Sequence, residues 1–141
     1  MTREEMIALG ERAIAAFNDP GNRDDYFETL YDDDVVLHGY TPGPLTPRTV
    51  VKQFYAQIFE GFPDARVEVE HALVDGDYLT LGFRFLGTHD GAFMGVPATG
   101  RPVDVPGITI LRFARGRCVE RWAVADFLSV LIQVGALPPP A

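Results

Sequence analysis

The chain has 141 residues, the length of one ordinary domain, and 47% of them are hydrophobic and 11% aromatic, enough for a sizeable core. A net charge of −8 argues against a nucleic-acid partner, because phosphate backbones attract basic surfaces. No apolar run approaches the roughly 20 residues of a membrane span, the N-terminus lacks a signal-peptide pattern, and the single cysteine, Cys118, excludes an internal disulfide, so a cytoplasmic protein with no membrane partner is expected.

The first helix starts at a capping box, in which Thr2 accepts from the amide three residues on and Glu5 reaches back. Met6, Leu9, Ala13, Ala16 and Phe17 follow at helical spacing, and Asn18-Asp19-Pro20-Gly21 ends the run. Asn22 is placed to cap a short second helix carrying Tyr26, Phe27 and Leu30. A short strand is predicted over 34–38, ending in the loop from Gly39 to Pro44. Thr46-Pro47 offers a hydroxyl cap and a first-turn proline for a third helix, with Val50, Val51, Phe54, Tyr55 and Ile58 as its buried stripe and Gly61 as its end. Beyond Pro63 the period changes to two: Val67, Val69, His71 and Leu73 alternate with Arg66, Glu68 and Glu70. Asp75-Gly76 predicts a hairpin turn into a strand over 78–88. Two more strands are predicted over 103–113 and 117–126, then a short helix over 127–134 and an extended tail from Leu137 to Pro140. Helices first and a strand meander later predict an α+β fold, a curved antiparallel sheet wrapped around helices as one domain over 1–141.

The last hairpin sets the candidate site. A three-residue turn with a glycine bulge pairs Phe113 with Arg117, Ile110 with Glu120 and Ile108 with Trp122, and brings Asp104 opposite Asp126. Trp122, Val124, Ile108 and Ile110 then share one face with two carboxylates at its end, and Val105 and Leu111 fall on the other. A two-residue turn would slip the register by one and put Val105 opposite Asp126. His38 closes the first strand and His89 follows another strand, the first placed to orient a carbonyl and the second to hold a loop or meet substrate. The three histidines lack metal-ligand spacing, the aspartates at 24–25 and 32–34 read as solvated turns, and no phosphate loop or nucleophile elbow is present, so neither metal nor other cofactor is expected. Cys118 reads as a small strand residue.

One stretch carries a resemblance. Gly87-Thr88-His89-Asp90-Gly91, then Met94-Gly95-Val96-Pro97-Ala98-Thr99-Gly100-Arg101, Arg112-Phe113, Gly116, Glu120-Arg121-Trp122 and Asp126, with Leu131, Gln133 and Gly135 behind, resemble the SnoaL-like polyketide cyclases of the nuclear-transport-factor-like superfamily. Ala16-Phe17-Asn18, Leu30-Tyr31, Val35-Val36-Leu37-His38 and Phe62-Pro63-Asp64 agree more loosely. The resemblance implies an open cone with an interior pocket, a cofactor-free cyclase of polyketide-like hydrophobic molecules, and Asp126 as general acid/base. Related isomerase, lyase or hydrolase chemistry, or a binding module without catalysis, stays open on this fold.

Asp126 and His38 are thus the candidate catalytic residues, and Tyr40, His89, Asp104, Ile108, Ile110, Trp122 and Val124 the candidate substrate contacts. An apolar pocket and the nearby Asp104 carboxylate would raise the pKa of Asp126. The alternative role for Asp126 is to cap the final helix over Ser129. Apolar residues on the outer face of the sheet predict a homodimer.

Overall fold

The computed structural model describes residues 1–140. Helix α1 (Arg3–Phe17) opens with the expected capping box, both Thr2 and Glu5 making their bonds. A short 3-10 turn leads to α2 (Arg23–Leu30); Asn22 occupies its cap position, with no hydrogen bond from its side chain. Strand β1 runs over Tyr31–His38, three residues longer at its start than expected. Helix α3 (Arg48–Gly61) begins one residue after Pro47, which takes the cap position expected for Thr46. Strands β2 (Arg66–Asp75), β3 (Tyr78–Thr88), β4 (Pro102–Ala114) and β5 (Arg117–Ala125) follow, and α4 (Phe127–Gln133) ends the fold. No helix among the described residues is long and apolar enough to cross a membrane.

The five strands form one curved, unclosed sheet in the order β1-β5-β4-β3-β2. Strands β2 to β5 are an antiparallel meander, as expected; β1 pairs with β5 in parallel, so the sheet is mixed. The concave face carries Leu79, Val103, Val105, Thr109, Leu111 and Phe113, all buried against the helices, which supply Met6, Ala13, Phe17, Phe27, Val51 and Tyr55.

The β4–β5 hairpin departs from the expected register. Its turn is two residues, Arg115 and Gly116, with φ of 54° and 78°, the left-handed pair a tight hairpin requires. Ala114 pairs with Arg117 and Phe113 with Cys118, then a bulge follows, so Arg112 pairs with Glu120, Ile110 with Trp122 and Ile108 with Val124. Asp104 does not meet Asp126; it pairs with Leu86 of β3. The net shift is two residues, so Ile108, Ile110, Trp122 and Val124 still share one face, but that face turns outward instead of inward. Val105 and Leu111, expected outside, lie inside at 5% and 2% exposure, while Ile108 and Val124, expected inside, are 62% and 76% exposed.

Candidate functional site

A cavity of about 130 Å³ lies between the concave face and the helices. Phe17, Ile58, Leu81, Phe83, Phe85, Phe93 and Val130 make most of its wall apolar. The polar side chains on its lining are Tyr26, Tyr40, Tyr55, Thr109, Arg121 and Asp126.

Arg121 sits on the inward side of β5 and is 8% exposed. Its Nε donates to Thr109 Oγ1 at 2.8 Å, and Thr109 in turn donates to the Trp122 carbonyl at 2.8 Å. Its Nη1 donates to the hydroxyls of Tyr31 at 2.6 Å, Tyr26 at 2.8 Å and Tyr55 at 3.4 Å. Tyr40 lies against the same group, its ring centre 5.9 Å from the guanidinium carbon. The hydroxyls also bond one another: Tyr26 with Tyr31 at 3.0 Å, Tyr26 with Tyr55 at 3.4 Å, and Tyr40 with Tyr55 at 3.2 Å. Burial pushes all four tyrosines above the ordinary phenol range, so they stay neutral. Burial works against the charge of Arg121, and the surrounding tyrosine oxygens more than offset it, leaving the guanidinium firmly protonated. Among the described residues no carboxylate pairs with it. A full positive charge in this apolar wall is therefore met only by hydroxyl dipoles.

Asp126 stands at the rim, bordering both this cavity and a groove on the outer side of the sheet. It caps α4: Oδ1 accepts from the Ser129 amide at 3.0 Å and Oδ2 from the Ser129 hydroxyl at 2.6 Å. Those two bonds hold its carboxyl below the usual carboxylate range. The expected upward shift is therefore reversed, because Asp126 is hydrogen-bonded in its charged form and Asp104 is not beside it. Along β5, Arg121 and Asp126 are five residues apart, roughly 16 Å at strand rise.

The other candidates divide. Tyr40 lines the cavity. His38, Ile108, Ile110, Trp122 and Val124 do come together with Asp126, but along the outer groove. There His38 stacks on Trp122 with ring centres 5.4 Å apart and an interplanar angle of 17°, and bonds Glu120 at 2.8 Å, while Arg112 donates to Glu120 at 3.1 Å. His38 thus belongs to an outer ion-pair cluster rather than to the cavity mouth. Asp104 is engaged by Arg84 on the outer face, with Nε to Oδ1 at 3.0 Å. His89 is fully buried and holds its loop: its Nδ1 meets Thr99 Oγ1 at 2.9 Å and accepts from the Thr99 amide, while Nε2 has no partner among the described residues. Cys118 is buried and its thiol is pushed up to about 12, chiefly by burial. The acidic turns are spread over ion pairs such as Asp33 with Arg48 at 2.8 Å and Asp24 with Lys52 at 3.1 Å. No metal-holding cluster of His, Cys, Asp or Glu occurs among the described residues.

Sequence reasoning missed Arg121, Tyr26, Tyr31, Tyr55 and Thr109. One signal was available: four of the five tyrosines fall within 26–55, Tyr26 and Tyr55 on helical stripes that read as core, and a buried tyrosine hydroxyl needs a partner.

The model of the SnoaL-like polyketide cyclase family matches residues 9–134. The chain belongs to the SnoaL-like polyketide cyclase family. Among solved structures it is similar to AclR of Streptomyces galilaeus, a candidate hydroxylase, at 28% identity and a TM-score of 0.86, covering 99% of this chain and 87% of that one. A candidate SnoaL-like polyketide cyclase from Jannaschia sp. CCS1 is 28% identical with a TM-score of 0.79, over 93% of this chain and 94% of that one. IdmH of Streptomyces antibioticus, a candidate polyketide cyclase, is 29% identical with a TM-score of 0.73, over 89% and 97%. No curated protein matches the chain. The family supports an enzyme of cyclase type acting on a small molecule, with the cone and its interior pocket as expected.

Proposed function

We propose that this SnoaL-like protein is a cofactor-free cyclase of a polyketide-like, hydrophobic, oxygenated small molecule, with Asp126 as general base and then general acid. The observation that carries the reading is the position of the Asp126 carboxylate: oriented by Ser129 and bordering a mostly apolar cavity, of whose lining it is the one carboxylate among the described residues. Its lowered pKa narrows the chemistry. A weak base that is fully ionised at neutral pH removes a proton only from an acidic carbon, such as one flanked by two carbonyls. In the proposed step Asp126 takes that proton, the enolate carbon attacks a second carbonyl folded close to it, a carbon–carbon bond forms, and Asp126 returns the proton to the new alkoxide. Holding the two reacting ends together can lower the barrier by up to ~7–11 kcal/mol.

Asn matches Asp as a helix cap, so Asp126→Asn separates the base from the cap. The variant should fold and bind ligand while turnover falls by roughly 10²–10⁴-fold. The wild-type rate should show no titration of this group between pH 5 and 8, since its pKa lies below the ordinary 3.8. Full turnover in a folded Asp126→Asn protein would sink the general-base role and leave a template cyclase or a binding module.

We also propose that the chain forms a homodimer through the outer face of its sheet. Ile108, Ile110, Val124 and Leu128 stand exposed there at 38% to 76%, and a second copy is the occupant whose matching apolar face would cover them.

A further inference from the structure

The polar end of the cavity has one hydroxyl proton more than it can use. Tyr26 donates to Tyr55, so the Tyr26–Tyr31 bond takes its proton from Tyr31. The remaining bond, between Tyr55 and Tyr40, consumes one proton of the two those residues own. The other has no acceptor in the network, because Arg121 only donates. It belongs to Tyr40 or Tyr55, and both line the cavity. The guanidinium shows the same surplus: Nε and Nη1 are engaged, while Nη2 donates to nothing among the described residues. A fixed positive charge, a free N–H pair and a spare O–H thus share one end of an apolar chamber.

We propose that this end is an anion site, in which Arg121 and the Tyr40–Tyr55 pair hold an anionic oxygen of the ligand, either a carboxylate or an ionised enol. The ligand class is then an extended hydrophobic acid or polycarbonyl, inserted with its charged oxygen towards Arg121 and a separate reactive carbon, further along the chain, towards Asp126. The inference deepens the proposed function and rests on its reading of the cavity as the ligand site. Arg121 and Tyr40 would be binding residues in both cases, because the anionic oxygen they hold lies at the other end of the chamber from the carbon that Asp126 deprotonates.

Two probes distinguish those sources. For the carboxylate, calorimetric titration of the wild-type protein at neutral pH compares 2-naphthoate with 2-naphthamide, which has the same rings and no charge. For the enol, ultraviolet absorption follows ionisation of 1-phenylbutane-1,3-dione with and without protein. The expected result is naphthoate binding at least about tenfold tighter than the amide, or bound dione ionising at lower pH than free dione. Tyr40→Phe should reduce the naphthoate preference several-fold and leave naphthamide binding unchanged; Arg121→Met should abolish the preference. If Arg121→Met fails to fold, the wild-type comparison and Tyr40→Phe still decide. Equal affinities together with an unshifted dione would overturn the inference, as would a preference unaltered in both variants, which would place the acid in the outer groove. Asp126→Asn should keep the naphthoate preference, so loss of turnover there and loss of anion selectivity here are separate failures.

Discussion

Both oxygens of Asp126 accept from Ser129, and that is why its carboxyl is more acidic folded than unfolded. A depressed folded-state pKa gives stability that is complete above the unfolded value of ~3.9 and is lost as pH falls through the folded value. The helix α4 cap should therefore weaken only in acid, below about pH 4. Stability curves of wild type and Asp126→Asn should run parallel above that pH, and the wild type should lose stability relative to the variant below it, as measured by urea unfolding across the acid range; a spacing that stays constant to pH 2 would contradict the linkage. The same residue shows what the sequence could and could not convey. Its cap role was legible because Ser129 stands three residues on, and its place at the cavity rim because the family pattern marks it. The direction of its pKa was not legible, since it depended on the two Ser129 bonds outweighing burial, and on Asp104 not being a neighbour. Arg121 was illegible for a different reason. A guanidinium in a strand reads as an outward residue, and only the convergence of α2, β1 and α3 supplies the tyrosines that make its burial tolerable.

Among the elements, every helix and strand was readable from periodicity and turn residues; the parallel pairing of β1 was not, and the errors that bear on the site cluster in one hairpin. Arg115-Gly116 lacks the Asn-Gly or Asp-Gly signature of a tight turn, and Arg115 adopts a left-handed φ of 54° that its side chain does not announce. The alternation in β4 gives no warning either, because both of its faces carry apolar residues: Val103, Val105 and Leu111 within, Ile108 and Ile110 without. A sheet with one polar face would have betrayed which face turns inward. The start of β4 shows a device that only the structure reveals. Strand β5 stops pairing at Ala125 opposite Gly107, and α4 takes over its place. Gln133 accepts from the Asp104 amide at 2.8 Å and donates to the Asp104 carbonyl at 3.0 Å, as a neighbouring strand would. Gln133→Ala should cost about 1–2 kcal/mol. It should also raise amide exchange at Asp104 and along α4 before the rest of the sheet, as read by hydrogen exchange; unchanged exchange at Asp104 would remove Gln133 from that role.

For the whole molecule, the corrected facing of the sheet changes the residues that would build the proposed dimer. Ile108, Ile110, Trp122 and Val124 leave the pocket and join Leu128 on the outside, and Val105 and Leu111 leave the outside for the core. Light scattering at micromolar concentration should give twice the chain mass of 15.6 kDa. Val124→Lys, at a position 76% exposed, should return the mass to that of one chain without unfolding it; a wild-type monomer would leave this apolar face unexplained.

The parallel seam between β1 and β5 also dictates an order of events in time. Tyr31 lies beside Cys118, and His38 beside Trp122, so residues more than eighty positions apart must find each other to complete the sheet. On a ribosome, Tyr26, Tyr31, Tyr40 and Tyr55 emerge long before the guanidinium they surround. Until β5 has been made, β1 has no partner in the sheet and the polar end of the cavity does not exist. Helices α1 to α3 and the β2–β3 hairpin can form early, from contacts close in sequence, whereas the ligand chamber is a late product of the chain's last third. A nascent chain arrested short of Arg121 would thus carry most of the secondary structure and none of the ligand selectivity.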